Sequence, residues 1–194
     1  EQYEAEPDES IGKIHLWLEE LKNSVVTDGL HIFGKVPEGK LYENMLRMLV
    51  RVRNGEIPSL NDAILTACGY DAEAVKESPM ESIGGRTSSA IYEEAVETAR
   101  SIVSELVKSA YNVQAIDGIL NKEKFIADCR PLKKVLTFLC DTVRLKLDRM
   151  SDELANLMKG LSGGFTEPGL GGNPTRGNVA LLPTGRNFYA GDPS

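Results

Sequence analysis

Apolar side chains recur every three or four residues along most of the chain, which is the spacing of one face of an α-helix. Such series run through residues 11–25, 41–52 and 91–110. The alternation of apolar and polar residues that is typical of strands is nearly absent. The pattern therefore predicts an all-α fold, a helical bundle over residues 11–162.

The clearest series lies between residues 131 and 161. Its nine members follow one another in steps of three or four residues: Leu132, Leu136, Leu139, Val143, Leu147, Met150, Leu154, Leu157 and Leu161. Pro131 stands in the first turn, where a missing N–H costs little. We predict that 131–161 form the longest or second-longest helix, with Leu139 and Leu147 in its buried face.

Short polar signals mark where other helices should begin. Ser59 opens a stretch that resembles a capping box, and the helix that it starts is predicted to end at Gly69. Gly84 and Gly85 break the chain, and Thr87 is predicted to cap the helix that follows.

The two ends of the chain differ from this body. Residues 1–10 carry five acidic groups and no basic one, so we predict a disordered N-terminus. In residues 163–194, 12 of 32 residues are Gly or Pro, which excludes regular helix. We call 163–194 the C-terminal strap. It ends in an LPTGRNFY motif at 182–189 and carries apolar anchors that favour packing on the helical body: Phe165, Leu170, Val179, Leu181, Leu182, Phe188 and Tyr189.

Composition limits the functional classes. The chain has 194 residues and a formal net charge of −7, which argues against binding to nucleic acid or to anionic membranes. The three cysteines lack motif spacing, and the acidic start does not resemble a signal peptide, so we predict a reducing, cytoplasmic location. Because the chain begins with Glu rather than Met, we expect a processed or excised chain.

Few residues suggest chemistry on their own. The chain has no G-x-x-x-x-G-K-[ST] phosphate loop, so any ATP chemistry should belong to a partner. No His or Cys spacing indicates a metal cage. His31 lies between two glycines in a predicted loop, where an imidazole can act as a ligand or a base. A packing role for His31 is the alternative.

The strap carries the other candidates. Arg176 and Arg186 are its only basic residues, and Phe188 and Tyr189 offer flat faces beside them. A guanidinium binds carboxylates in bidentate fashion, so the combination suits a planar, acidic ligand. In the alternative, the strap only wraps the bundle, and its arginines pair with bundle carboxylates or cap helix ends.

Four segments together resemble the large subunit of cobaltochelatase and magnesium chelatase. They are DGLHIFG at 28–34, PEG at 37–39, GGNPTRG at 171–177 and LPTGRNFY at 182–189. Their order and spacing match the family over roughly residues 11–193. Since the family subunit is several times longer, the resemblance implies that this chain is an internal segment of it.

The resemblance implies a ligase that inserts a divalent metal into a tetrapyrrole, in cobalamin or chlorophyll-type biosynthesis. Cobalt is favoured and magnesium is the alternative. The expected partners are an ATPase subunit of the AAA+ type, which would bind the ATP, and a bridging subunit. This segment itself is expected to bind no cofactor and to be inactive in isolation.

The same resemblance implies roles for individual residues. Arg176, Arg186, Asn187 and Tyr189 are candidates for binding the macrocycle, whose precursors carry peripheral carboxylates or amides. His31 is the candidate catalytic residue, which would accept a pyrrole proton or briefly hold the metal. We further predict that 182–189 fold back against the loop of His31, so that His31, Arg186 and Asn187 face one cleft. Asn173 stands where family members often have Asp, so no carboxylate role is expected there.

A second hypothesis for the function uses the same motifs but predicts no ligand for them. In it, the chain is a non-catalytic helical interaction module, and the strap docks onto partner subunits.

Overall fold

A computed structural model describes residues 33–170 and 179–188, together with Ile14 and Leu18, which are both helical. The helices are α1 (Lys40–Leu49), α2 (Leu60–Ala67), α3 (Ala72–Glu77), α4 (Ser88–Lys108), α5 (Ile116–Leu120), α6 (Arg130–Phe138), α7 (Arg144–Asp148) and α8 (Asp152–Leu161). The strands, of two residues each, are β1 (Ser82–Ile83), β2 (Arg86–Thr87), β3 (Pro168–Gly169) and β4 (Asn187–Phe188). The prediction of an all-α fold is confirmed.

Side-chain caps begin the helices where the sequence predicts them. The hydroxyl of Ser59 accepts a hydrogen bond from Asp62 N at 3.1 Å and starts α2. The hydroxyl of Thr87 accepts from Ala90 N at 3.4 Å and starts α4. Gly69, with φ of 84°, follows the end of α2 in the left-handed conformation that glycine adopts easily.

A short antiparallel hairpin precedes α4, and the sequence pattern did not predict it. β1 pairs with β2, with Ser82 opposite Thr87. Gly84 and Gly85 both have positive φ and make the two-residue turn between the strands. The glycines that break the helical pattern therefore build the hairpin that leads into α4.

The core forms around α4, which packs against α1, α2 and α3, while α6 packs against α2. Its largest fully buried side chains are Leu46, Leu49, Leu60, Ile64, Leu65, Ile91, Ile102, Leu106, Leu132, Leu136, Leu139 and Leu147. At roughly 1.5–3 kcal/mol for each such side chain removed from water, these residues supply much of the drive for folding. Within the described ranges, no helix is long and apolar enough to cross a membrane.

Residues 130–161 are helical throughout, but not as one α-helix. A π-helical turn at Leu139–Val143 separates α6 from α7, and a 3₁₀ turn at Arg149–Ser151 separates α7 from α8. The longest uninterrupted α-helix that the structure describes is α4, with 21 residues. The prediction that 131–161 form one continuous α-helix is therefore wrong, because two irregular turns interrupt it.

At the 3₁₀ turn, the apolar series also passes from the buried face of the helix to the exposed face. Its members up to Met150 are buried, whereas Leu154, Leu157 and Leu161 are 56%, 46% and 75% exposed. Each residue of a 3₁₀ turn rotates the chain by about 120°, against about 100° in an α-helix, so three such residues shift the buried face by about 60°. After that shift Glu153 points inward, and the three leucines point outward.

The C-terminal strap contacts the body through part of its apolar set. Val179, Leu181 and Leu182 are buried, whereas Phe165 and Leu170 are exposed. Val179 N donates a hydrogen bond to the Asn54 side chain at 3.2 Å. β3 and β4 pair in parallel and join the two described stretches of the strap. The side chain of Phe188, Tyr189 and the predicted disorder of 1–10 lie outside what the structure describes.

A tyrosine pair ties the end of α4 to α1. Tyr111 OH donates to Tyr42 OH at 2.6 Å, with the rings edge to face, and the Arg144 guanidinium lies 5.4 Å from the centre of the Tyr111 ring. Tyr111 follows Ala110, and both have positive φ, which is unusual for side chains of this kind. The pair thus holds a strained helix end in place.

Burial raises the pKa of both Tyr42 and Tyr111 in the folded chain above the value of a free phenol. Stability from this pair should therefore be complete below about pH 10 and be lost as the pH rises through the higher folded-state values. Near-ultraviolet titration should show two phenols that ionise late in the folded chain and normally in urea. Tyr111→Phe should remove one late phenol and lower stability by about 1 kcal/mol. Six tyrosines that titrate together would contradict this.

Candidate functional site

The structure describes the side chain of one of the five residues that the sequence marks as site candidates. Arg186 is half-buried, and Asn187 is described only through its backbone, in β4. His31, Arg176 and Tyr189 lie outside the described residues. The predicted cleft of His31, Arg186 and Asn187 therefore stays a prediction, but residues that neighbour two of them are described.

Glu153, in the first turn of α8, joins the two conspicuous motif segments. Its side chain is 2% exposed, and its Oε2 accepts a hydrogen bond from Gly34 N at 2.6 Å. Gly34 is the last residue of the DGLHIFG segment, three residues after His31. A carboxylate is favoured at this end of a helix because the helix dipole is positive there.

Gly185, the residue before Arg186 in the second motif, packs on the same glutamate. A Cβ built on Gly185 would lie 2.5 Å from Glu153 Cα, and Gly185 has φ of +81°. Only glycine allows this close approach together with this backbone conformation. We call Gly34, Glu153 and Gly185 the loop junction, because at these residues the two motif loops touch one helix turn.

Arg186 braces its own loop. Its Nε donates to Pro183 O at 3.1 Å, and its guanidinium packs so closely on Gly169 that a Cβ there would lie 2.7 Å from Nε. Its Nη2 also lies 3.5 Å from Leu182 O, so part of the guanidinium is bound to backbone carbonyl groups of its own loop. The proposed role of Arg186 in binding a ligand stays a prediction.

Two further polar groups lie near the loop junction. Thr184, next to Gly185, has a buried hydroxyl with no hydrogen-bond partner among the residues that the structure describes. Lys146 donates to Val179 O at 3.0 Å, and its pKa is lowered by burial and, to a smaller extent, by the charge of Arg186. A buried hydroxyl without a partner is costly, so this part of the loop is not optimised for stability alone.

Sequence reasoning missed Glu153. In the sequence, Glu153 stands next to Asp152 and resembles the other acidic residues of exposed helix faces. The apolar series predicts Leu154, not Glu153, as the next buried position. One signal was available: residue 153 lies three after Met150, so it continues the buried face by a step of three. An acidic residue in line with a buried face is a candidate for a specific role.

The other candidate chemistry finds no support in the described part of the chain. No group of three His, Cys, Asp or Glu side chains converges there as a metal site. Burial raises the pKa of all three cysteine thiols, Cys68, Cys129 and Cys140. Raised values disfavour the reactive thiolate, which agrees with packing roles.

The loop junction combines the buried carboxylate of Glu153 with the backbone N–H of Gly34. A buried, hydrogen-bonded carboxylate of this kind can fix the position of the chain segments that it contacts. The carboxylate itself is occupied by Gly34 N, so its first role is to hold the loops together.

Comparison with known proteins identifies relatives of the whole chain. The family model described as CobN/Magnesium Chelatase matches residues 1–194. The aerobic cobaltochelatase subunit CobN of Pseudomonas aeruginosa is 31% identical over 96% of this chain and 16% of its own length. The chloroplastic magnesium-chelatase subunit ChlH of rice is 29% identical over 97% of this chain and 15% of its own. The chain thus spans about one-sixth of the length of these relatives.

A solved structure agrees with the sequence relatives. The catalytic subunit of cobaltochelatase from Mycobacterium tuberculosis superposes with a TM-score of 0.65 and 27% sequence identity. The superposition covers 84% of this chain and 12% of that one. The helical body described above therefore recurs inside a much larger protein.

Proposed function

Since this chain belongs to the CobN/magnesium chelatase family, we propose that it is a segment of a large chelatase subunit that inserts a divalent metal into a tetrapyrrole. Cobalt is favoured as the metal substrate, with magnesium as the alternative. The reaction would be of the ligase type and driven by ATP, which an AAA+ ATPase subunit would bind and a bridging subunit would couple. The segment alone would be inactive.

The loop junction supports this proposal. Gly34, three residues after His31, and Gly185, the residue before Arg186, both contact Glu153. In the proposal, the neutral imidazole of His31 accepts a pyrrole proton or briefly holds the metal. Arg176, Arg186, Asn187 and Tyr189 orient the macrocycle, and Glu153 is a positioning residue.

The proposal predicts the behaviour of two variants of the full-length subunit. His31→Ala should lower the metal-insertion rate at least about 100-fold, the usual contribution of a general base, and leave the fold intact. Glu153→Gln keeps the shape but loses the charge that holds Gly34 N, so it should weaken macrocycle binding and slow insertion together. The measurements are the insertion rate and the shift of the macrocycle's Soret band on titration.

Glu73→Gln is the matched control. Glu73 lies in the first turn of α3, as Glu153 lies in the first turn of α8, but it is exposed. If Glu73→Gln inserts metal at the wild-type rate and Glu153→Gln does not, the loss is due to the contacts of the loop junction. It is then not a general effect of removing a negative charge from the start of a helix. Unchanged insertion in both His31→Ala and Glu153→Gln would contradict the proposal.

One observation favours the second function, a non-catalytic module that docks partner subunits. Leu154, Leu157 and Leu161, with Met158, form an exposed apolar face on α8. Exposed apolar faces of this kind often contact other proteins. Titration of the chain with hydrogenobyrinate diamide or protoporphyrin discriminates the two functions. A Soret shift supports the chelatase role, whereas no shift together with a tight complex with an ATPase subunit supports docking alone.

A further inference from the structure

Lys146 of α7 and Arg186 of the C-terminal strap bind the same short stretch of backbone, the 3₁₀ turn Val179–Leu181 and the residue after it. Lys146 Nζ donates to Val179 O at 3.0 Å, and Leu182 N donates to the same oxygen at 3.2 Å. Arg186 Nη2 lies 3.5 Å from Leu182 O. Two cations from distant parts of the sequence therefore meet at one turn of the strap.

Neither cation forms an ion pair with an acid in the described part of the chain. Acids where α7 meets α8 already have partners, as the pairs Asp148–Arg144 and Asp152–Arg149 and the bond of Gly34 N to Glu153 show. Burial lowers the pKa of Lys146, and the charge of Arg186 lowers it further. That is the behaviour of an amine that lies near a second cation in a poorly hydrated place.

Both side chains keep hydrogen-bond donors that a ligand can reach. Each residue is half-buried, so part of it is open to solvent. An ammonium has three N–H donors, of which Lys146 uses one on Val179 O. Arg186 directs Nε to Pro183 O and Nη2 to Leu182 O, which leaves the two N–H groups of Nη1 without an acceptor among the described residues. The arrangement offers donors and positive charge to an anion from outside.

We propose that Lys146 and Arg186 together bind one peripheral carboxylate of the tetrapyrrole, an inference that rests on the proposed function. A carboxylate has two oxygens, so it can accept from the ammonium with one and from the guanidinium with the other. It also supplies the negative charge that the two cations lack. Sequence reasoning names Arg186 as a candidate for macrocycle binding but does not name Lys146.

The two cations belong to different parts of the fold, which gives the contact a further consequence. Lys146 lies on the helical body, and Arg186 lies on the strap. A carboxylate held by both would fasten the strap to α7 when the macrocycle binds. The site should therefore favour a macrocycle with a free acid at this edge over one whose acids are blocked.

The test compares protoporphyrin with its dimethyl ester, in which both carboxylates are blocked, by titration of the Soret band with the full-length subunit. Wild type should bind the diacid at least about tenfold more tightly than the diester. Lys146→Gln keeps an N–H for Val179 O but loses the charge. It should weaken diacid binding about tenfold and leave diester binding unchanged. A lysine that only holds the strap in place would affect both macrocycles alike.

Lys134→Gln is the matched control. Lys134 also donates to a backbone carbonyl, Glu56 O at 2.9 Å, but it is exposed on α6, so this variant should bind both macrocycles as wild type does. Four results would overturn the inference while the proposed function stands: equal wild-type affinity for diacid and diester, no loss in Lys146→Gln, equal losses for both macrocycles in that variant, or the same loss of diacid binding in Lys134→Gln. A wild-type subunit that binds neither macrocycle would overturn the proposed function, and this inference with it.

Discussion

Leu139→Ala is expected to lower the free energy of unfolding of the chain by about 2–5 kcal/mol. Leu139 is fully buried in the π-helical turn between α6 and α7, within the core that surrounds α4. Removing its side chain leaves a cavity that a π turn, already irregular, cannot close by a simple shift. The measurement is chemical denaturation followed by circular dichroism.

Leu157→Ala provides the control for this prediction. Leu157 belongs to the same apolar series but is 46% exposed on α8, so its loss should change stability by less than about 0.5 kcal/mol. Equal losses in the two variants would mean that the α8 face is buried in solution, and that the change of face at the 3₁₀ turn is wrong.

Gly185→Ala is expected to destabilise the chain by about 2–5 kcal/mol and to abolish metal insertion in the full-length subunit. Two costs add. An L-residue at a positive φ costs about 1–2 kcal/mol, and a methyl group forced against Glu153 Cα costs about 1–3 kcal/mol more. The contact is with backbone, so a side-chain rotation cannot relieve it.

Gly84→Ala separates these two costs. Gly84 also has a positive φ, 60°, but a Cβ there would meet nothing within 4 Å. This variant should therefore lose only about 1–2 kcal/mol and keep insertion activity. If Gly84→Ala and Gly185→Ala lose the same stability, the close approach of Gly185 to Glu153 does not exist in solution.

Local signals in the sequence predicted the helix starts well. Ser59 and Thr87 cap α2 and α4 as expected, because a hydroxyl that satisfies a free N–H is a property of a few neighbouring residues. Gly69 ends its helix for an equally local reason. The LPTGRNFY and DGLHIFG segments identified the family, which the comparisons confirm.

The failures are all features that depend on the three-dimensional context. The prediction of a single helix up to Leu161 requires a constant number of residues per turn. The π and 3₁₀ turns change that number, so the later leucines leave the buried face. The contacts of Glu153 with the motif segments depend on long-range folding, as its bond to Gly34 shows with a separation of 119 residues. The functional roles of His31, Arg176, Arg186, Asn187 and Tyr189 stay predictions.

That separation also bears on the order in which the molecule assembles. Two bonds tie the ends of the described chain to the body. Gly34 to Glu153 and Val179 to Asn54 close segments of 119 and 125 residues, whereas the helices and their caps close segments of a few residues. Closing a long segment costs more chain entropy, so the helical body is expected to form first and the loop junction last. Substitutions at Glu153 or Gly185 should then speed unfolding and leave the folding rate nearly unchanged.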